Sequence, residues 1–372
     1  MPVKSKEPCV IVGAGPTGLA AALLLAKRGT KSRIVEKRLE PSAHSKAFGV
    51  NPRTLELLEG TGVTERLLEH GRRMQALNLW RKGDRLFHLD LSKVRHRFPF
   101  MLIYSQAKTE ALLAETLTDL GGEVERGVEF LSLNDEQTRC LSRLRHANGR
   151  EEEITTSVIL GADGPSSTVR KTLDIPFDGS DYDNDWYLYD VELETSLNAD
   201  EAHVFLLNDG AMFMVRIEDN VWRVLGNVSE LLGRLPRGSS PGNVVWESDF
   251  NIAHRIAQRF QQGCAYLGGD AAHIHSGLGA RGMNLGIEDA YVFAELTAVD
   301  QLSRYHDLRH GTDYRVLRQV QRMTEVPKGK SAFSQVVRRV APLIAPFLPL
   351  GASKMRKWIL GLEHEVIATN GS

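Results

Sequence analysis

Residues 9–36 read CVIVGAGPTGLAAALLLAKRGTKSRIVE, and this stretch decides the fold. Cys9 to Val12 is a short apolar run of the buried-strand type, and Gly13-Ala-Gly-Pro-Thr-Gly18 is a turn. Leu19 to Arg28 is an Ala/Leu-rich helix stopped by Gly29, a C-cap residue, and Lys31 to Glu36 returns as a second strand. Each residue type in this βαβ opening has a physical reason. Gly13 permits the tight turn, Gly15 lets backbone approach a pyrophosphate, and Gly18 lets the helix pack on the strand. The helix start offers free N–H groups and a positive dipole end to phosphate oxygens. Glu36 ends the second strand, where a carboxylate accepts hydrogen bonds from a ribose 2′-OH and repels a 2′-phosphate. FAD or NAD therefore fits this pocket better than NADP.

Two later stretches repeat the theme. Gly161-Ala-Asp-Gly164 follows the strand-like run Ile154 to Leu160, with Ser167, Val169 and Arg170 close behind. Leu267-Gly-Gly-Asp-Ala-Ala-His273 follows the run from Ala265 and leads through Gly277-Leu-Gly-Ala-Arg-Gly282 into a helix near Met283. Two strand-end acids, Asp163 and Asp270, and a second glycine-rich helix start imply a ligand that extends from an adenosine to a distal ring system. Between them, Trp186 to Val228 is rich in aromatic and β-branched residues. The turns LNDG and EDN fall inside it, which is the hairpin signature.

Composition bounds the rest. The 372 residues exceed one ordinary compact domain, and 42% hydrophobic with 25% charged residues is ordinary globular usage. A net charge of −1 argues against a dedicated nucleic-acid binder. Cys9, Cys140 and Cys264 lie far apart with no CxxC, so neither a disulfide framework nor a zinc site is expected, and a reducing, cytoplasmic setting follows. His273 and His275 stand in a loop without a further ligand set, so no metal is expected. The first apolar run meets a glycine too early for a signal peptide, and no window supports a membrane span. Val340 to Ala352, broken by three prolines and flanked by Arg338, Arg339, Lys354, Arg356 and Lys357, reads as surface packing or as a membrane-surface contact.

The three motifs, in this order, resemble those of the group A flavoprotein aromatic hydroxylases, the p-hydroxybenzoate and phenol hydroxylase superfamily. VIVGAGPTGLAAALLLAKRG…VEK resembles the first FAD fingerprint, and GADGPSSTVRKTL the motif serving both FAD and nicotinamide. YLGGDAAHIHSGLGARGMNLGIEDAYVFAEL resembles the third. SKAFGVNPRTLELLEGTGV and AHRIAQRF are like the phenol-hydroxylase branch. The resemblance covers most of residues 8–325. It implies an α/β fold: a Rossmann-like FAD/NAD(P)-binding domain (1–75, 100–172 and 255–326), an inserted, mostly antiparallel β-sheet substrate domain (76–99 and 173–254), and a helical C-terminus (327–372). Many relatives carry a thioredoxin-like C-terminal domain; the stretch after Pro327 is too short for one, so a short form is expected.

The resemblance also implies roles. Gly13, Ala14, Gly15, Pro16 and Gly18 lie along the FAD pyrophosphate, and Glu36 and Lys37 at the adenosine ribose. Lys46 stands where the family has an arginine, keeping the charge but losing bidentate geometry. Gln106 and Val128 touch the cofactor, Asp163 belongs to the dual motif, and Asp270 meets the ribityl chain. Gly277, Ala280, Gly282, Met283 and Asn284 surround the isoalloxazine edge. Ala280-Arg281 departs from the family pattern. Arg281 is expected to stabilise reduced flavin, to bind an acidic substrate, or to point to solvent. Leu308 replaces a family glutamate in Tyr305-His-Asp-Leu-Arg309 and is expected to be structural. The implied cycle has NADPH or NADH reduce FAD, O₂ add at the flavin C4a position, and the hydroperoxide hydroxylate a small phenolic ring. No catalytic residue is identified; Tyr187, Tyr189, Arg216 and His254 are the pocket candidates. The alternatives are an epoxidase or reductase on the same fold, or a non-catalytic flavin-binding redox sensor. A homodimer is possible.

Overall fold

The computed structural model describes residues 9–42, 47–136, 139–275, 280–325 and 349–368, without the side chains of 182–185, 251–252, 323–325 and 349–350. Its centre is a six-stranded sheet in the order Gln261–Gln262, Ala265–Leu267, Ile159–Gly161, Cys9–Val12, Ser32–Glu36, Val124–Arg126. All neighbours run parallel except Gln261–Gln262. The first helix spans Pro16–Lys27 and starts earlier than the apolar run suggests, because proline suits the first helical position. Thr17 through Leu25 are all buried. A helix apolar all round must be covered on every side; the Gln106–Asp119 and Arg281–Ala298 helices do this.

The expected single strand Ile154 to Leu160 is two strands. Glu151–Thr156 belongs to a three-stranded antiparallel sheet with Cys140–His146 and Val128–Asp135, while Ile159–Gly161 enters the central sheet. The chain breaks where Thr156 Oγ1 donates to the Val158 carbonyl at 2.9 Å.

The β-rich region is an eight-stranded sheet that reaches beyond Val228. Phe177–Glu194 and Ser240–Ala257 are its long strands, and Ala76–Arg81 and Asp84–Asp90 join it at one edge. Alternation along Ala211–Arg216 shows its two faces. Met212 and Met214 enter one apolar cluster with Trp222 and Leu231, while Val215 and Phe213 enter another. That second cluster joins the sheet to Met101 and Ile103 of the cofactor-side chain and to Ile359 and Leu360 near the C-terminus. Most of Val340 to Ala352 lies outside the described residues; Pro349–Ile359 is a helix. No described helix is long and apolar enough to cross a membrane.

The cysteine expectation is corrected. Cys140 and Cys264, 124 residues apart, form a disulfide with Cα atoms 6.1 Å apart, and only Cys9 is free. The fold brings the first residue of one antiparallel strand beside the residue preceding Ala265–Leu267, which no spacing rule reveals. The argument for a reducing compartment lapses with it. Closing so long a loop stabilises the folded state by about 2–5 kcal/mol. Dithiothreitol should therefore shift the urea midpoint of the native protein downward and leave Cys140→Ser unmoved. Equal shifts in both would contradict a structural role for the bond.

Candidate functional site

A cavity of about 460 Å³ lies at the carboxyl ends of the parallel strands. Gly13 turns the chain there at φ 103°, and a Cβ on it would sit 2.4 Å from the Ala162 carbonyl oxygen. A Cβ on Gly18 would come within 1.9 Å of the Gly13 oxygen. Gly18 is thus a packing residue, and it does not line the cavity. Gly15 differs: it lines the cavity with Pro16, and a Cβ there would meet no protein atom within 4 Å. The helix start beside it has no side-chain cap, so its first N–H groups stay available to a ligand.

Glu36, Lys37 and Arg38 line the near end. Glu36 Oε2 accepts from the Ala14 N–H at 2.9 Å and Oε1 from the Arg38 N–H at 3.0 Å. Ala14 therefore positions Glu36 rather than the ligand. Burial opposes the Glu36 charge, but these N–H groups and the Arg38 guanidinium outweigh it and hold the carboxyl below its usual range. Gln106, Glu110, Val128 and Phe130 form the middle wall.

At the far wall, Asp163 Oδ2 accepts from the Thr168 and Val169 N–H groups at 2.6 and 3.1 Å, capping a short helix. Its buried Oδ1 has no hydrogen-bond partner. Burial pushes this carboxyl up. Asp270 sits on a tight turn, Gly269–Ala271, and opens onto the cavity. Gly269 at φ 58° lets that turn press on Thr17. Surrounding protein raises the Asp270 carboxyl, with His273 opposing. Gly282 and Met283 close this end.

Asn284 and Ala280 lie behind that end. Asn284 Oδ1 accepts from the Asn51 N–H (3.0 Å) and Thr54 Oγ1 (2.7 Å), and Nδ2 donates to the Gly49 and Ala280 carbonyls at 2.9 and 2.5 Å. This side chain ties the start of the Arg281–Ala298 helix to the stretch from Gly49 to Thr54. Lys46 and Gly277 lie outside the described residues.

Arg281 corrects an expectation: it faces neither solvent nor the cavity. It is buried, ion-paired with Glu363, and donates to the Trp358 carbonyl at 3.3 Å. Its partners come from the C-terminal segment, which local sequence does not announce.

The four pocket candidates are not brought together. Tyr187 and Tyr189 pack into the cluster of Met212 and Trp222, on the sheet face away from Phe213. Arg216 donates to the Asp219 carbonyl and to Asp200 Oδ1 at a strand end. His254 is buried along a smaller groove of about 240 Å³ with Arg255, Tyr314 and Arg318.

Sequence reasoning missed the charge network behind Asp270. Asp289 accepts from the Gly269 N–H, His273 Nε2 and Arg309 Nε at 2.9, 2.7 and 2.6 Å. Arg309 also pairs with Asp313 (2.7 Å) and Glu288 (3.3 Å), and Glu288 with His364 (2.8 Å). His273 and His364 are both raised to about 9: burial opposes the charge, and the surrounding carboxylates outweigh it. It also missed Glu110 and Arg38, for which spacing offers no signal.

Comparison with known proteins agrees with this geometry. A family described as an FAD binding domain matches residues 6–229 and 233–318. The chain belongs to this family of flavoprotein aromatic hydroxylases. It is 32% identical to the 6-methylpretetramide 4-monooxygenase of Streptomyces rimosus over 79% of this chain and 56% of that one. It is 30% identical to the pentachlorophenol 4-monooxygenase of Sphingobium chlorophenolicum over 88% of this chain and 66% of that one. The chain thus spans between half and two thirds of these relatives. The solved anhydrotetracycline hydroxylase OxyS of Streptomyces rimosus superposes with a TM-score of 0.79 at 26% identity, covering 97% of this chain and 77% of that one.

The residues present fit FAD. The space before Gly15 is open, the helix start is uncapped, Asp163 keeps a free buried oxygen, and Asp270 faces the cavity at the opposite end from Glu36.

Gly15→Val should keep the apo-protein's melting temperature yet weaken FAD binding at least about tenfold, because the new side chain occupies only cavity. Gly18→Ala should instead destabilise the fold by about 1–3 kcal/mol. The opposite pattern in calorimetry and FAD titration would refute the assignment of the two glycines. A second expectation concerns pH. Two histidines raised from 6.5 to about 9 contribute stability that is full below 6.5 and lost as pH rises through 9. Denaturation midpoints should fall over that window, and less steeply in His364→Gln.

Proposed function

We propose that the chain is a monooxygenase that uses FAD, NADPH or NADH, and O₂ to hydroxylate a small aromatic, phenolic molecule. One observation carries this reading: a single cavity runs from Glu36 to Asp270, Gly282 and Met283, with walls from all three glycine-rich segments. The similarity to monooxygenases of pretetramide and chlorophenol substrates supports the aromatic class.

In this reading Gly15 and the Pro16–Lys27 helix start hold the pyrophosphate, and Glu36 the adenosine ribose. Gln106, Val128 and Asp163 bind along the cofactor, Asp270 takes the ribityl hydroxyls, and the Gly282 and Met283 backbone meets the ring edge; Lys46 and Gly277, outside the described residues, enter this reading only through the family resemblance. The bound flavin supplies the redox chemistry, accepting hydride from nicotinamide and activating O₂. The chain's own work is to bind, orient and exclude water. Residues 1–75, 100–172 and 255–326 form the cofactor unit in this reading, and 76–99 with 173–254 the substrate unit. The substrate lies between Met283 and the sheet face that carries Phe213. Phe213 stands 6.0 Å from Phe48 ring to ring, and Arg223 lies over Phe48 at 5.2 Å.

The purified protein should be yellow and oxidise NADPH or NADH faster when a phenol is added, and ¹⁸O₂ should label the product. Turnover without label would convert the reading to a reductase. A protein that takes up no FAD would overturn it.

A further inference from the structure

The cavity wall holds one carboxyl whose presence the binding of an anionic dinucleotide does not explain. Glu110 is buried, lines the cavity, and lies one helical turn from Gln106 on the same face. Its Oε1 accepts from Gln106 Nε2 at 2.8 Å. Glu36 and Arg38, from the second strand and the residues after it, and Arg126, at the end of Val124–Arg126, are the charged groups that act on it. A carboxylate beside Glu36 repels a ligand bearing two phosphates, so its value must be local.

We propose that Glu110 is a positioning residue of the cofactor site: by accepting from the Gln106 amide nitrogen, it turns the Gln106 carbonyl oxygen into the cavity, as an acceptor for a hydroxyl or amine on the adenosine half of the dinucleotide. The inference rests on the FAD reading above. The physical argument is the two-sidedness of a glutamine amide, whose oxygen and nitrogen have nearly the same shape and opposite hydrogen-bonding character. An ionised carboxylate only accepts, so it draws the amide nitrogen and leaves the oxygen facing the ligand. A protonated Glu110 can donate to that oxygen and present the NH₂ to the cavity, which is the wrong polarity for a hydroxyl or amine donor. Burial raises the Glu110 carboxyl, and Glu36 adds to this, while Gln106, Arg38 and Arg126 oppose it. Glu36 itself is held low. The binding-competent form is the ionised one, so FAD affinity weakens as pH falls through the Glu110 titration, before Glu36 is reached.

The test is FAD affinity of the apo-protein, read by quenching of flavin fluorescence between mildly alkaline and mildly acidic pH. The proteins are wild type, Glu110→Gln, Gln106→Leu and the double variant, each first checked for native melting temperature. Wild type should bind less tightly on acidification. Glu110→Gln should bind about three- to tenfold more weakly at the alkaline end and show a smaller acid dependence than wild type, the remainder coming from the raised Asp163 and Asp270 carboxyls of the same cavity. The double variant should be no weaker than Gln106→Leu, since the two side chains act as one unit. Wild-type affinity and acid dependence in Glu110→Gln would overturn the inference while leaving the FAD reading intact, as would simple additivity of the two changes. If Glu110→Gln does not fold, Gln106→Leu decides alone: acid dependence equal to wild type overturns the proposal. Failure of wild type to bind FAD at any pH overturns both readings.

Discussion

The far end of the cavity hangs on one buried carboxylate. Asp289 carries no exposed surface, and a charge in such a place persists only when paired and hydrogen-bonded. It meets the Gly269 N–H, His273 and Arg309 at once. Burial opposes its charge, but these partners outweigh it and hold the carboxyl low, and it in turn helps hold His273 up near 9. Burial pushes the Asp313 carboxyl well up, with Asp289 and Glu288 adding to this and Arg309 and His273 opposing it. The result is a buried, ion-paired knot with a directional consequence. The bond to the Gly269 N–H fixes the tight turn that aims Asp270 at the cavity. The helix that supplies Asp289 from its middle supplies Gly282 and Met283 from its first turn. One interaction therefore sets the spacing between the ligand-facing acid and the ligand-facing helix start.

The near end follows from strand direction. Cys9–Val12, Ser32–Glu36, Ile159–Gly161 and Ala265–Leu267 run parallel, so the turns that follow them emerge on one edge. Backbone bonds lace those turns together. Gly13 N–H donates to the Val35 carbonyl (2.8 Å), Ala162 to Val12 (2.8 Å) and Gly268 to Gly161 (3.0 Å). Segments some 250 residues apart become adjacent because a parallel sheet has one carboxyl edge, and open sheets of this kind bind ligands outside it. Thr17 then presses on both Gly269 and Gly286, so the Pro16–Lys27 helix start, the Gly269 turn and the Arg281–Ala298 helix share one contact.

This explains what the sequence made legible. Strand, glycine turn and helix start are local signals, so Gly13 to Gly18, Glu36, Asp163 and Asp270 could be read from spacing. Their convergence follows from the parallel topology that the βαβ opening already implies. The disulfide, the Arg281 pair and the Asp289 knot could not be read, because each joins residues whose neighbourhood is created only by tertiary packing. Tyr187 and Tyr189 mark a different limit. Strand alternation tells which residues share a face, but not which face looks toward the cofactor side. The cluster of Val215, Phe213, Met101 and Ile103 settles that question.

Arg281 shows how the tail takes part in the site. A cation in the first turn of a helix opposes the positive end of the helix dipole, and here it is also buried. Left alone, it would compete with the oxygen-binding character of the N–H groups at Gly282 and Met283. Glu363 offsets that charge, and the tail reaches it because Gly361, at φ 71°, allows backbone to approach where a Cβ would lie 2.2 Å from Asn51 Nδ2. His364 bonds Glu288 on the same helix, and its carbonyl accepts from Arg53 at 3.0 Å. Ile359 and Leu360 meanwhile fill the apolar cluster under the sheet. The C-terminal segment thus neutralises the helix start, braces the helix, and joins it to the β-sheet in one continuous contact. The electrostatics of the cavity's distal end depend on residues some 80 positions further along the chain.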